Sequence, residues 1–175
     1  KDGWRKIYQI DLSGNEKLVM KADYDMINLD FFDPKNETIY FTASPTNATQ
    51  KYLYSVSTKG GVPKRLTPTS YEGTCDYDIS KDGKVAIFNF SNRAELKQNA
   101  VIELPTHKVL VDFEFKRERK VSDGIKEFFN VKTAEGVELD GWMIKPLDFD
   151  PNKKYPVVFM VYGEPASQTV LDNFS

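Results

Sequence analysis

The chain has 175 residues, close to one domain on a prior of roughly 150 residues each, and 40% of them are hydrophobic, enough to bury a core. Charge is balanced, 24 basic against 26 acidic residues for a net of −2, which argues against a nucleic-acid binder and against a polybasic membrane-surface protein. No apolar run reaches 18 residues, the first ten residues lack the apolar stretch of a signal peptide, Cys75 has no partner for a disulfide, and His107 is the single histidine. A zinc site needing two or three histidines is therefore excluded within this chain, as is a Ser–His–Asp triad that does not use His107.

The predicted elements are short strands rich in β-branched and aromatic residues. In chain order they are Ile7–Leu12, Thr38–Thr42, Tyr52–Val56, Val85–Phe88, Val101–Leu104 and Val109–Phe113. Turn chemistry separates them: Ser13-Gly14-Asn15, Asp33-Pro34-Lys35-Asn36, Lys59-Gly60-Gly61 and Lys81-Asp82-Gly83. No amphipathic helical stretch longer than two turns occurs before residue 165. The runs repeat. Phe32–Phe41 resembles Ile79–Phe88 at a spacing of 47, Ile7-Tyr8 matches Leu53-Tyr54 at 46, and Tyr54 and Val56 match Ile102 and Leu104 at 48. That period, with about four strands per unit, is the spacing of β-propeller blades; a β-sandwich with accidental hairpin similarity is the alternative. Residues 1–25 would hold the tail of one blade, 26–67 a second and 74–113 a third. Two and a half blades do not close a propeller, so the expectation is either an open β structure or a piece of a longer chain.

The pattern changes after Phe113. The charged run Glu114–Lys120 is expected to be a solvated connector. Glu127–Lys132 and Val137–Lys145, joined by Ala134-Glu135-Gly136, carry a hairpin signal, and Pro146–Pro151 a loop. Tyr155–Tyr162 is nearly all apolar and does not alternate, which predicts a strand buried on both faces, as in a parallel α/β sheet. The fold class expected is thus mainly β: a partial propeller over 1–113, then a connector and the first strands of an α/β domain over 114–175.

Trp142-Met143-Ile144-Lys145-Pro146, Phe149-Asp150-Pro151, Lys153-Lys154-Tyr155-Pro156, Val161-Tyr162-Gly163, Pro165 and Gln168 resemble the entry into the catalytic domain of the dipeptidyl peptidase IV family. That family is a branch of the prolyl oligopeptidase serine peptidases. Upstream, Gly3–Tyr8, Ile39–Phe41 and Tyr52–Val56 look like its late propeller blades. The resemblance covers essentially the whole chain and is most specific over 142–168. It implies an α/β-hydrolase domain with a Ser–Asp–His triad, removal of Xaa-Pro or Xaa-Ala dipeptides, peptide substrates with a free N-terminus, and a propeller that screens them. It also implies a homodimeric parent, a periplasmic or otherwise extracytoplasmic location, and no cofactor or metal.

Most of that machinery is not in this sequence. There is no G-x-S-x-G nucleophile turn, and Gly163 to Ser167 lacks the pattern. By the resemblance, the triad Asp and His would lie further downstream, and the acidic pair that binds the substrate amino group would lie before Lys1. The piece alone is expected to be inactive. His107, in Pro105-Thr106-His107-Lys108, is expected in a turn between blade strands rather than as a base. One catalytic element falls inside. Tyr162 would end the third hydrolase strand, where the family places a tyrosine hydroxyl that donates to the oxyanion. Glu164 departs from the second glycine common in bacterial members, which bears on specificity.

Other candidates have bland readings. Trp142 is expected to pack in the hairpin. Asp148, Asp150 and Asn152 have part of an EF-hand spacing without its glycine or final glutamate, so a turn is expected. Asn36, Asn47, Asn89 and Asn173 sit in glycosylation sequons. Two further readings stay open: a non-catalytic propeller binding module, and an acylaminoacyl peptidase or endopeptidase relative. Exposed strand edges are also expected to pair with a second copy.

Overall fold

The structure is a computed structural model. It describes residues 3–113, 117–118, 124, 126–161, 163 and 168–174. Among these, every regular element is a strand. β1 (Tyr8–Ile10) and β2 (Glu16–Leu18) form a hairpin, the tail of one blade. β3 (Met26–Asp33), β4 (Thr38–Ala43), β5 (Tyr52–Ser57) and β6 (Lys64–Arg65) form an antiparallel four-stranded blade in that order. β7 (Thr74–Ile79), β8 (Val85–Ser91), β9 (Glu95–Glu103) and β10 (Val109–Asp112) form the next. This is a partial β-propeller.

An aspartate organises each of three turns. Asp11 Oδ1 accepts from the Ser13 and Asn15 N–H groups, and Asp33 Oδ1 from those of Lys35 and Asn36. Asp82 Oδ1 accepts from Ser80 Oγ at 2.7 Å and the Lys84 N–H. A short carboxylate bonding its own backbone two residues on mimics a turn, so the repeat in the sequence is partly a repeat of this device.

Blades stack face to face, and burial records how many neighbours each has. In β4, Ile39 through Ala43 are all buried, although a short alternating run of this kind is expected to leave one face wet. In β8, burial alternates: Ala86, Phe88 and Phe90 are buried while Ile87 is exposed. The middle blade is covered on both sides, the last on one. The largest wholly buried side chains are Phe41, Phe88, Phe90, Met20, Leu53 and Ile102. Tyr71 closes the later seam edge-on, its ring 4.9 Å from Phe88 and 5.1 Å from Phe90. Adjacent blades share single parallel bridges, Met20 with Gly61 and Lys51 with Thr74.

Two differences from expectation stand out. Within the charged run, Arg117 and Glu118 form β11 and pair with β9, because β9 is long enough for its first half to outrun β10. The rest of that run lies outside the described residues. The second is a correction. Residues 154–161 join no ladder, and Val158 and Val161 are each 89% exposed. A continuous apolar run specifies burial only where strands flank it, and none of the described strands pairs with it. The neighbouring hairpin, β12 (Glu127–Lys132) with β13 (Glu138–Met143), is itself largely exposed.

Candidate functional site

The segment Gln168–Phe174 returns to the propeller and is held by two loops from successive blades. The first joins β4 to β5. Asn47 Oδ1 accepts from the Thr49 N–H at 2.9 Å and its hydroxyl at 2.8 Å, Ser44 Oγ donates to the Gln50 carbonyl, and Tyr52 donates to Gln50 Oε1. The second joins β8 to β9, where Asn92 Oδ1 accepts from the Ala94 N–H. Both loops are built from Asn, Ser and Thr, whose side chains stiffen irregular backbone.

Asp172 joins the two. Its Oδ2 accepts from Gln50 Nε2 at 2.9 Å, its Oδ1 from the Arg93 backbone N–H at 2.8 Å, and its own N–H donates to the Thr49 carbonyl at 2.6 Å. On either side, Gln168 Nε2 donates to Ser44 Oγ and the Ala48 carbonyl, and the Phe174 N–H donates to Ser91 Oγ. Lys126, buried at 3% exposure, donates to Asn173 Oδ1 at 2.7 Å and lies 5.1 Å from the Trp142 ring centre. The Arg93 guanidinium lies 5.4 Å from the ring centre of Phe128 on β12. A cleft of about 420 Å³ opens beside Asp172, with Phe90, Glu72, Gln50 and Arg93 among its walls. These contacts tie together the two blades, the hairpin and the returning segment.

A second buried polar group lies in the seam between blades. Tyr77 OH is 2.7 Å from Thr67 Oγ1 and 2.9 Å from His107 Nε2, and Thr67 Oγ1 accepts from the Leu53 N–H. His107 sits in the β9–β10 turn with φ +59°, as the sequence placed it. Burial holds its pKa below the usual histidine value. The contacts found for its ring are to tyrosine and phenylalanine, and no serine is among them. Burial also pushes the Cys75 thiol up to about 12, so it has no thiolate character at neutral pH. On β3, an edge strand of its blade, Asp30 falls at a β-bulge; its Oδ2 accepts from Thr42 Oγ1 at 2.6 Å, and burial raises its pKa to about 6. Lys51, bonded at 2.5 Å to Asp76 of the next blade, stands close enough to lower it.

Tyr162, Glu164 and Ser167 lie outside the described residues. Trp142 is partly exposed and pairs with Phe128 in the hairpin register. Asp148, Asp150 and Asn152 fall in a turn, where Asp150 Oδ1 accepts from the Asn152 N–H and the Asp150 N–H donates to Tyr155 OH. Of the sequon asparagines, Asn36, Asn47 and Asn173 have hydrogen-bonded side chains. Sequence reasoning missed Asp172, Gln50 and Arg93. Their partners lie 79 and 122 residues away, and no local pattern marks them.

Comparison with known proteins places these features in a family. Residues 1–95 match the model of the dipeptidyl peptidase IV N-terminal region. A Botryotinia fuckeliana protein named "Probable dipeptidyl-aminopeptidase B" is 29% identical over 164 residues, 90% of this chain and 18% of that protein. Its namesake in Sclerotinia sclerotiorum is 30% identical over 82% of this chain and 16% of that protein. Dipeptidyl peptidase 4 of Porphyromonas gingivalis superposes with a TM-score of 0.80 at 27% identity, covering 99% of this chain and 25% of that one. The chain thus spans under a fifth of these curated relatives' length and a quarter of that solved structure. With more than half of its residues matched by the family model, this chain belongs to the dipeptidyl peptidase IV family.

Proposed function

We propose that the chain is part of a serine-type peptidase that removes Xaa-Pro or Xaa-Ala dipeptides from the free N-terminus of peptides. The carrying observation is that the match over 1–95 is followed, in the same chain, by Tyr162-Gly163, Pro165 and Gln168. In this reading residues 1–113 are late propeller blades, and 114–175 lead into an α/β-hydrolase domain.

Tyr162 is the reacting group that this stretch contributes. A neutral phenol, with an ordinary pKa near 10, keeps its proton at working pH and donates to the oxygen of the tetrahedral intermediate as negative charge develops there. The nucleophilic serine, its histidine and its aspartate come from elsewhere in the whole protein. The chain by itself carries no G-x-S-x-G and does not hydrolyse peptides. The whole protein is a homodimer outside the cytoplasm, by the same family likeness.

Cleavage of a Gly-Pro chromogenic dipeptide by the full-length protein tests this, with the present chain as control. The full-length enzyme releases chromophore, Tyr162→Phe lowers kcat by about 10²–10³-fold as for comparable oxyanion donors, and the chain alone is inactive. Cleavage of N-acylated substrates instead identifies an acylaminoacyl peptidase relative. No cleavage by a folded protein leaves a propeller-type binding module.

A further inference from the structure

The geometry points to Asp172 as a positioning residue for the peptidase reaction, through its clasp of Gln50 and Arg93; this rests on the function proposed above. Three features single it out. Both carboxylate oxygens are used, each by a donor from a different blade, and the residue's own N–H is used by a third partner. Gln168 and Phe174 extend the same docking to Ser44, Ala48 and Ser91. The chain therefore cannot slide along either loop without breaking several bonds at once. Among the described residues, the apolar run at 157–161 joins no strand of this chain, so the clasp is the anchor that this stretch itself supplies.

Tyr162 lies between these stretches, six residues before Gln168. A donor aimed at a developing oxyanion needs its position set to a fraction of an ångström, and a misplacement of about 1 Å costs on the order of 100-fold. The clasp supplies a fixed end on the propeller. Its loss is expected to lower kcat without weakening ground-state binding, because substrate contacts need not involve this segment.

The donor–acceptor sense of the clasp makes it testable. Asp172→Asn replaces one acceptor by an N–H₂ group that faces the Gln50 amide. Gln50→Glu sets a second carboxylate against Asp172. Combining Gln50→Glu with Asp172→Asn reverses the sense and restores the bond, since the amide introduced at position 172 then donates to the carboxylate introduced at position 50. In the full-length enzyme, each single variant is expected to reduce kcat for a Gly-Pro substrate by about 10-fold with KM little changed, and the double variant to recover most of it. Asp172→Asn added to Tyr162→Phe is expected to cost little beyond Tyr162→Phe alone. Hydrogen exchange of residues 168–174 provides a readout independent of activity: faster in each single variant, slow again in the double. Unchanged exchange in both singles overturns the clasp. Unchanged kcat, a change in KM alone, or full additivity with Tyr162→Phe overturns the positioning role. A wild-type enzyme that cleaves no dipeptide overturns the functional reading and the positioning role with it, while the exchange pattern still reports the contact.

Discussion

His107 Nε2 stands 2.9 Å from the hydroxyl of Tyr77, and that hydroxyl is one of the links between two blades. Its other neighbour, Thr67 Oγ1 at 2.7 Å, follows β6 of the preceding blade and already accepts from the Leu53 N–H. Tyr77→Phe keeps the ring contact with Phe88 but leaves buried polar groups on Thr67 and His107 without this partner. The expected loss is about 1–3 kcal/mol, read as a lower denaturation midpoint with an unchanged slope. An unchanged midpoint would show that the hydroxyl contributes nothing to the seam.

Two buried groups give stability opposite dependences on pH. Burial lowers the folded pKa of His107, so below about 6.5 the unfolded chain binds a proton that the fold resists. Stability on this account falls as pH drops through 6.5 and levels off below the depressed folded value. Asp30 runs the other way. Its folded pKa is raised from 3.8 to about 6, so its neutral form is favoured in the fold. That contribution is present in acid and is lost as pH rises through about 6, against the partial help of Lys51 and the repulsion of Asp76. His107→Gln is expected to flatten the acid side of a stability–pH profile, measured by urea denaturation from pH 4 to 8.

Asp30→Asn isolates the second effect. The raised pKa sets a ceiling of about 3 kcal/mol on the cost of the charge, and partial exposure brings it nearer 1. The amide oxygen can still accept from Thr42. The variant is therefore expected to be more stable than wild type by about 1 kcal/mol at pH 7.5 and equal to it at pH 4. Lower stability at pH 7.5 would mean that attraction to Lys51 outweighs burial.

Much of this fold was legible in the sequence because its signals are local. The hairpin β12–β13, the strands β4, β5 and β8, and the period near 47 all follow from alternation and turn residues. β7 was missed because Asp76 and Asp78 dilute its pattern, and β11 because Arg117-Glu118 carries no strand signal at all. Two-sided burial of β4 was hidden as well: whether a blade has one neighbour or two is a property of the stack and not of the strand. The same limit applies to 155–161, where apolar composition announces a covered strand without supplying its cover. The Asp172 clasp is the extreme case, since its partners are separated by most of the chain.

Gly73 marks the crossing into the later blade. Its φ of +154° and the approach of Ser91 leave no room for a side chain: an added Cβ would run into the Ser91 carbonyl oxygen and lie 2.9 Å from Asn92 Cβ. The Gly73 carbonyl also accepts from the Lys51 N–H beside the single bridge to β7. Gly73→Ala is expected to destabilise by about 1–3 kcal/mol, measured by calorimetry or denaturant titration. Gly14→Ala, where the added Cβ meets nothing within 4 Å, controls for the cost of positive φ alone.

The open run at 157–161 predicts self-association of the isolated chain. Five apolar side chains in extended sequence, 68% to 91% exposed, present an unpaired edge that a second copy can extend. Sedimentation velocity is expected to show a concentration-dependent dimer or higher species. Val158→Lys with Met160→Lys is expected to shift it to monomer. A monomer at all concentrations in the unsubstituted chain would refute this.

The hydrogen-bond ladder of each blade closes within its own stretch of chain, and the next blade is reached through one bridge, Met20 to Gly61 and then Lys51 to Thr74. At a synthesis rate of roughly 5–20 residues per second, a blade's worth of chain emerges from the ribosome in a few seconds. Each blade can therefore complete its ladder before its successor exists, and the face it leaves bare is the template on which the successor settles. The order of translation and the order of packing coincide, so nascent chains meet the correct neighbour first.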